Sequence, residues 1–545
     1  MIDQLLISPR RAWTRALLLG LAVLLIATLL PGAVAEAKPG KSGRGDACDR
    51  RNNNTYQKLL ECMTLEGVRE HQRAFQRIAD RNDDEFYPGT RAAGTEGYQD
   101  SVDYVAKKLK KAGYKVTLDP VEFEFVFPAV LEQTLPDQVV YETGTFTGSG
   151  DGDVTGPTIP VDLNLGGVST SGCEPEDFDG LDFSGDSDIA VIRRGTCPFA
   201  LKEQNAQEAG AEAVVIFNTG DIPTNEALIV GTLGEDSGVE IPVVGASFAD
   251  GQELAEEGTE AHVRVDPSET RTDYNVIAEK RGKNNDNVVM AGAHLDSVTE
   301  GPGINDNGSG SAALLETALL MQKVKPQNTI RFAWWAAEEL GLVGSAAYVD
   351  GLSDEELERI ALYQNYDMVG SPNYIFMIYD ADESTFLAED FGVLVPEGST
   401  AIEDLYEQFY TWKDEPYDDT GFSGRSDYEA FILNGIPSGG LFTGAEVVKT
   451  EDQEAIWGGE AGAQFDPCYH LECDTYENNN DHALEVNSDL IAFSMLTYAY
   501  STEAVNDVPG KRVPGKPINL PEPAGPEGTF MESEDGGGGP SHGES

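Results

Sequence analysis

The sequence predicts an α/β protein: a mostly parallel sheet sandwiched by helices, interrupted by an inserted β-rich domain. Two observations carry this expectation. Buried-type strands at 275–279, 288–291, 330–335 and 361–366 alternate with helical stretches at 311–323 and 336–350, the rhythm of a parallel sheet covered on both faces. Between about 131 and 265 the style changes. Gly, Asp and Thr become frequent there, and short β-branched runs recur at 189–192, 213–217 and 241–244, with one helix at 201–209.

Taken in order, the chain opens on Arg10, Arg11 and Arg15, an apolar run over 16–30, and the small residues Ala33, Val34 and Ala35. That succession predicts a cleaved signal peptide over 1–35 and a secreted, extracellular product with no membrane contact after cleavage. The run is shorter than the ~20 residues a membrane span needs. Residues 36–61 read as a polar leader of the mature chain, with folded sequence beginning near Cys62. The main domain starts over 62–130. Apolar spacing predicts one helix at 65–78 and another at 97–111, with Val102, Val105 and Leu109 on one face and Gly113 at its end. Strands are expected at 115–118 and 121–126. The inserted domain takes 131–270 and the main domain resumes over 271–505. Residues 506–545, Pro/Gly-rich and then acidic, are expected to be disordered.

The balance of 95 acidic against 37 basic residues, net −58, excludes nucleic-acid binding, which needs a basic patch. Three readings of the acidity stand in order: a solvated surface that keeps an exported protein soluble, adaptation to high salt, and attraction of cationic substrates such as free amines. The 6 cysteines suit an exported chain. Local pairing gives Cys48–Cys62, Cys173–Cys197 and Cys468–Cys473; metal ligation is the rival reading, and no CxxC spacing supports it.

The residues that carry chemistry fall at strand ends. His294 lies in AGAHLDS directly after the run VVMA, with Asp296 two residues on. Asp306 sits in the Gly-rich turn GPGINDNGSGS before a helix. Glu338 and Glu339 follow IRFAWW, Asp367 follows ALYQNY, and His470 lies in CYHLEC. In open α/β sheets functional groups gather beyond the C-terminal strand ends. Each motif alone has a structural reading: a lone histidine after a strand, a solvated Glu-Glu helix start, a turn. Together they place acids around imidazole at a density that repulsion forbids unless cations neutralise it. Mixed His and carboxylate ligands suit zinc, with manganese or cobalt as alternatives, and the ligands suffice for two ions with one carboxylate bridging.

The motifs HLDSVTEGPGINDNGSGSAALLETAL and RFAWWAAEELGLVGSAAYV resemble those of secreted bacterial di-zinc aminopeptidases of metallopeptidase family 28, the aminopeptidase Y or bacterial leucyl aminopeptidase type. The likeness runs from about Thr64 to Tyr500, outside the insertion. It implies the zinc-exopeptidase (phosphorylase/hydrolase-like) fold. By position, His294 and Asp367 would hold one zinc ion, Glu339 and His470 the other, and Asp306 would bridge. Glu338 would be the general base acting with a metal-bridging hydroxide, and Tyr469 would donate to the oxyanion. Asp296 would orient His294, and Arg425 would contact substrate or product. The peptide after the bridging Asp, here Asp306–Asn307, is often cis in this family. Expected substrates are peptides with a free N-terminus, with large apolar residues such as Leu first, and the protein is expected to be a monomer. Some relatives bind calcium near the C-terminal helix, where Glu485 and Asp489 match by position.

The inserted segment, through GTCPFALKEQNAQEAGAEAVVIFN, resembles a protease-associated (PA) domain. Two alternatives accompany the aminopeptidase reading. A metallocarboxypeptidase of the same family needs a cationic pocket for a terminal carboxylate, for which Arg425, Arg193 and Arg194 are the candidates. A receptor-like homologue without activity would have lost ligands, whereas here every ligand position is filled.

Overall fold

The computed structural model describes residues 45–164, 167–222, 225–234 and 237–530; the expected signal peptide and the last residues of the tail lie outside them. An eight-stranded sheet forms the main domain. In spatial order its strands are Lys115–Phe125, Glu269–Lys280, Asn328–Trp335, Asn284–His294, Ile360–Tyr366, Ser438–Phe442, Met377–Tyr379 and Asp418–Thr420. The strands ending at Trp335, His294, Tyr366 and Phe442 are mutually parallel, so their C-terminal ends open on one edge.

These strands read as continuous apolar runs because both faces are covered. Successive side chains point to opposite faces. Val276, Ala278, Val289, Ala291, Phe332 and Trp334 pack under one helical layer, with helices Leu65–Ala79, Glu96–Ala112, Gly308–Leu320, Thr400–Lys413 and Asp481–Tyr500 contributing to the same core. Their neighbours Ile277, Met290, Ala333 and Trp335 pack on the other side with Val349 and Phe431, from helices Val343–Asp350 and Glu429–Leu433.

The insertion grows from a strand pair. Lys115–Phe125 runs antiparallel to Glu269–Lys280 in unbroken register, from Lys115 opposite Glu279 to Phe125 opposite Glu269. The chain therefore departs and returns at one end of this pair. A second, seven-stranded sheet lies between, its strands running from Val130–Leu135 to Glu260–Val265. The Cys48–Cys62, Cys173–Cys197 and Cys468–Cys473 disulfides are all formed.

Several expectations are corrected. The two strands expected at 115–118 and 121–126 are one, passing through Pro120. Proline lacks the N–H an inner strand must donate, but this strand is the sheet edge. The expected 336–350 helix begins only at Val343; residues 336–342 form a loop in which Ala337 and Leu342 hold positive φ of 53° and 59°. The 36–61 leader is already folded from residue 45: helices Gly45–Arg50 and Tyr56–Leu60 flank Asn53, which is buried and donates to the Leu320 carbonyl at 3.0 Å. The tail does not leave the fold at 506 either. Asp418 accepts the backbone N–H groups of Gly528, Thr529 and Phe530, each at 2.8 Å, and Phe530 is buried beside Phe465. Composition favoured disorder; a buried carboxylate and an aromatic anchor override it. Among the described residues no helix is long and apolar enough to cross a membrane.

Candidate metal centre

The parallel strand ends deliver the candidate ligands. His294 is the last residue of its strand, Glu338 and Glu339 follow the strand ending at Trp335, and Asp367 follows the one ending at Tyr366. Asp306 precedes helix Gly308–Leu320, whose cap Asn307 accepts the Gly310 N–H at 3.0 Å. His470 arrives on the loop closed by Cys468–Cys473. The turns that aim these groups are sharp. Ala337, Met368 and His470 sit at φ of 53°, 47° and 56°. Non-glycine residues there cost of order 1–3 kcal/mol each and concentrate at functional sites. The Asp306–Asn307 peptide is cis.

Asp306 divides its carboxylate. Oδ1 lies 3.2 Å from His294 Nε2 and Oδ2 lies 3.3 Å from His470 Nε2. His294 Nε2 is also 3.2 Å from Asp367 Oδ1, and His470 Nε2 is 3.2 Å from Glu339 Oε2. The result is two adjacent nests, His294–Asp367–Asp306 and His470–Glu339–Asp306. For ligands ~2.0–2.2 Å from a tetrahedral zinc ion, neighbouring donor atoms stand about 3.3–3.5 Å apart. The observed spacings fit. Glu338 Oε2 stands farther from His294 Nε2, at 3.9 Å, yet close enough to it and to Asp367 to face the same ion.

The charges are unbalanced in the direction a cation would relieve. Burial holds the Glu338 carboxyl well above the ordinary range, and Asp367 and Glu339 push the same way. Burial and then Asp306 push Glu339 up to about 7. Burial works against the His470 imidazolium, yet hydrogen bonds to Asp306 and Glu339 carry it up to about 11. The Glu339 Oε1 atom is buried without a hydrogen-bond partner.

Residues outside the ligand set hold it in shape. Asp296 is fully buried and lies 3.6 Å from His294 Nδ1, beyond hydrogen-bond length. Its carboxylate accepts the N–H groups of Glu338 and Glu339, both at 3.2 Å. Asp474 accepts the N–H groups of Asn305 and Asp306 at 2.8 and 2.9 Å. The buried Arg91 guanidinium ties the 295–303 loop, donating to Pro302 and Gly303 carbonyls at 2.9 and 2.5 Å and to that of Leu295. Tyr469 stacks on His470 at 3.8 Å. Arg425 Nη2 donates to its hydroxyl at 3.3 Å and Nη1 pairs with Glu446 at 2.8 Å.

Sequence reasoning did not single out Asp474, Arg91, Glu446 or Ser426. Only Ser426 carried a signal, by adjoining Arg425. The other arginines considered for a carboxylate pocket are engaged inside the inserted domain: Arg193 donates to the Asn164 and Thr219 carbonyls, and Arg194 to Asn218 Oδ1 at 3.3 Å. Of the acids matched to calcium, Asp489 is paired with Lys413 at 2.7 Å, so the cation beside it is a lysine.

Comparison with known proteins agrees with this geometry. Residues 275–495 match Peptidase family M28 and residues 154–254 match the PA domain. An "Aminopeptidase" of Pseudomonas aeruginosa is 47% identical over 460 residues, covering 82% of this chain and 83% of the relative. A "Probable leucine aminopeptidase 2" of Aspergillus fumigatus is 41% identical, covering 76% of this chain and 80% of the relative. The solved structure of BSAP, a zinc aminopeptidase from Bacillus subtilis, aligns with TM-score 0.58 and 25% identity over 82% of this chain and 96% of that one. The chain therefore belongs to peptidase family M28, with a PA domain inserted in its peptidase domain.

Proposed function

We propose that the protein is an exported, zinc-dependent aminopeptidase that removes N-terminal residues, large apolar ones such as Leu foremost, from peptides. The single observation that carries this reading is the divided Asp306 carboxylate, one oxygen for each histidine nest. His294, Asp367 and Asp306 would hold one zinc ion, and His470, Glu339 and Asp306 the other. Bound there, the pair would supply Lewis acidity and a water acidic enough to attack near neutral pH. Glu338 takes the proton of the attacking water and delivers it to the departing amine. Burial has already raised its affinity for a proton. Tyr469 donates its O–H to the carbonyl oxygen as charge develops there. Its own oxygen accepts from Arg425, which leaves the hydroxyl hydrogen free for that task.

The end of the peptide that is read follows from charge. A carboxypeptidase needs an unpaired cation for the terminal carboxylate. Arg425 is neutralised by Glu446, and Arg193 and Arg194 serve the inserted domain. The Glu338 and Asp296 carboxylates stand beside the nests, within 3.9 Å of His294, and favour a terminal ammonium. The names of relatives as leucine aminopeptidase and zinc aminopeptidase support the same reading, and the three disulfides support an oxidising compartment.

The test is hydrolysis of Leu-p-nitroanilide beside its N-acetylated form, with chelator and zinc add-back. Cleavage confined to the free amine, abolished by chelator and restored by zinc, is expected. Equal cleavage of the acetylated form, or activity indifferent to chelator, would overturn the proposal.

A further inference from the structure

Behind Asp367 runs a chain of buried hydrogen bonds with a single direction. Trp335 Nε1 donates to the Tyr363 hydroxyl at 2.8 Å. Tyr363 donates to Asn365 Oδ1 at 3.1 Å. Asn365 Nδ2 donates to Ser426 Oγ at 2.8 Å, and Ser426 donates to Asp367 Oδ2 at 2.6 Å. Trp335 and Tyr363 are fully buried, and Asn365 and Ser426 are 1% and 4% exposed, so water does not compete.

The direction is fixed by chemistry. An indole N–H can only donate, and at the other end the Ser426 hydroxyl donates to the Asp367 carboxylate. With its oxygen accepting from Trp335, the Tyr363 hydroxyl turns its hydrogen to Asn365, which sets the orientation of that amide. The amide N–H then reaches the serine oxygen, and the one serine hydrogen goes to Asp367.

The fold makes room for this on purpose of geometry alone: Tyr363 and Asn365 alternate with one residue between them and share a face of their strand. Trp335 lies two strands away, across the strand that holds Gly292. A β-carbon at Gly292 would fall 2.3 Å from the Tyr363 hydroxyl and 2.4 Å from Trp335 Nε1. Glycine there is what lets the first link form.

We propose that Trp335, Tyr363, Asn365 and Ser426 form a one-directional relay that engages Oδ2 of Asp367, leaves Oδ1 facing His294, and so sets the metal affinity of the His294–Asp367 nest apart from that of the His470–Glu339 nest. Ser426 is a positioning residue: it touches neither substrate nor metal. The inference rests on the two-nest reading above. Hydrogen-bond partners of metal ligands are commonly worth about 10- to 100-fold in affinity.

The experiment is zinc titration of the metal-free protein against a chromophoric chelator, for wild type, Ser426→Ala, Ser426→Thr and Trp335→Phe. Each is repeated with His470→Ala, which leaves only the His294–Asp367 nest intact. Ser426→Ala is expected to weaken that nest by about 10- to 100-fold while leaving the affinity of the other nest unchanged. Ser426→Thr, which keeps the hydroxyl, restores it, and Trp335→Phe gives a smaller loss at the same nest. Unchanged affinity in Ser426→Ala, or equal weakening of both nests, overturns the relay. Wild-type stoichiometry reads the two-metal reading separately: fewer than two ions there sinks that reading, whereas the variant-to-wild-type ratio in the His470→Ala background reads the relay.

Discussion

Arg425 Nη1 lies 2.8 Å from Glu446 Oε1, so this arginine is already paired before any substrate arrives. Its second amino group is turned to the Tyr469 hydroxyl. Glu446→Gln removes the anion that holds this geometry. It is expected to lower kcat on Leu-p-nitroanilide about 10-fold, a loss typical of a small misplacement near the reacting atoms, with bound zinc unchanged. Steady-state kinetics with metal analysis checks it; an unaltered kcat would remove Glu446 from the account.

Tyr469→Phe keeps the ring stacked on His470 and deletes only the donor. Loss of one donor to a developing oxyanion costs about 10²–10³ in kcat. KM should move little, because the interaction strengthens only as charge develops. A change confined to KM would assign Tyr469 to binding instead.

Glu338→Gln should retain both metals, since its carboxylate stands 3.9 Å from His294 Nε2 where Asp306 and Asp367 stand at 3.2 Å, and lose about 10²–10⁴ in turnover. Zinc content measured beside activity separates the roles. Loss of metal with activity would make Glu338 a ligand.

In the inserted domain Glu203 is fully buried, and neither carboxylate oxygen has a hydrogen-bond partner. Burial raises its pKa well above the ordinary value, against a smaller opposing effect of Lys202. A carboxyl that holds its proton only in the folded chain costs stability as pH rises above the unfolded pKa, about 4.3. The cost grows until the folded pKa is reached. Glu203→Leu should therefore stabilise the protein by about 1–3 kcal/mol at pH 8, and by less near pH 4. Thermal melts at the two pH values check the difference; a gain that does not vary with pH would contradict the assignment.

Much of the centre was legible because its ligands are local events in the chain. His294, Glu339 and Asp367 each fall at or just after a run that reads as a buried-type strand, and Asp306 opens a helix after a Gly-rich turn. What was not legible depends on contacts between distant segments. Ser426 meets Asp367 across 59 positions and Asp474 meets Asp306 across 168. Neither serine nor aspartate announces such a partner in sequence. Residues 336–342 read as helix because Ala, Glu and Leu favour it, yet Asp296 draws the Glu338 and Glu339 N–H groups out of any helical pattern. The segment up to Phe530 read as disordered from composition, but its backbone finds partners on distant elements: Lys511 N–H donates to the Tyr500 carbonyl, Glu527 N–H to the Tyr417 carbonyl, and the N–H groups of 528–530 to Asp418 on an edge strand.

The most direct test of the two-metal centre is a crystal structure of the zinc-loaded protein with anomalous scattering recorded at the zinc edge. Two peaks ~3.5–4 Å apart, one between Asp306 Oδ1 and His294 and one between Asp306 Oδ2 and His470, are expected. A single peak, or ions bound away from Asp306, would contradict the account.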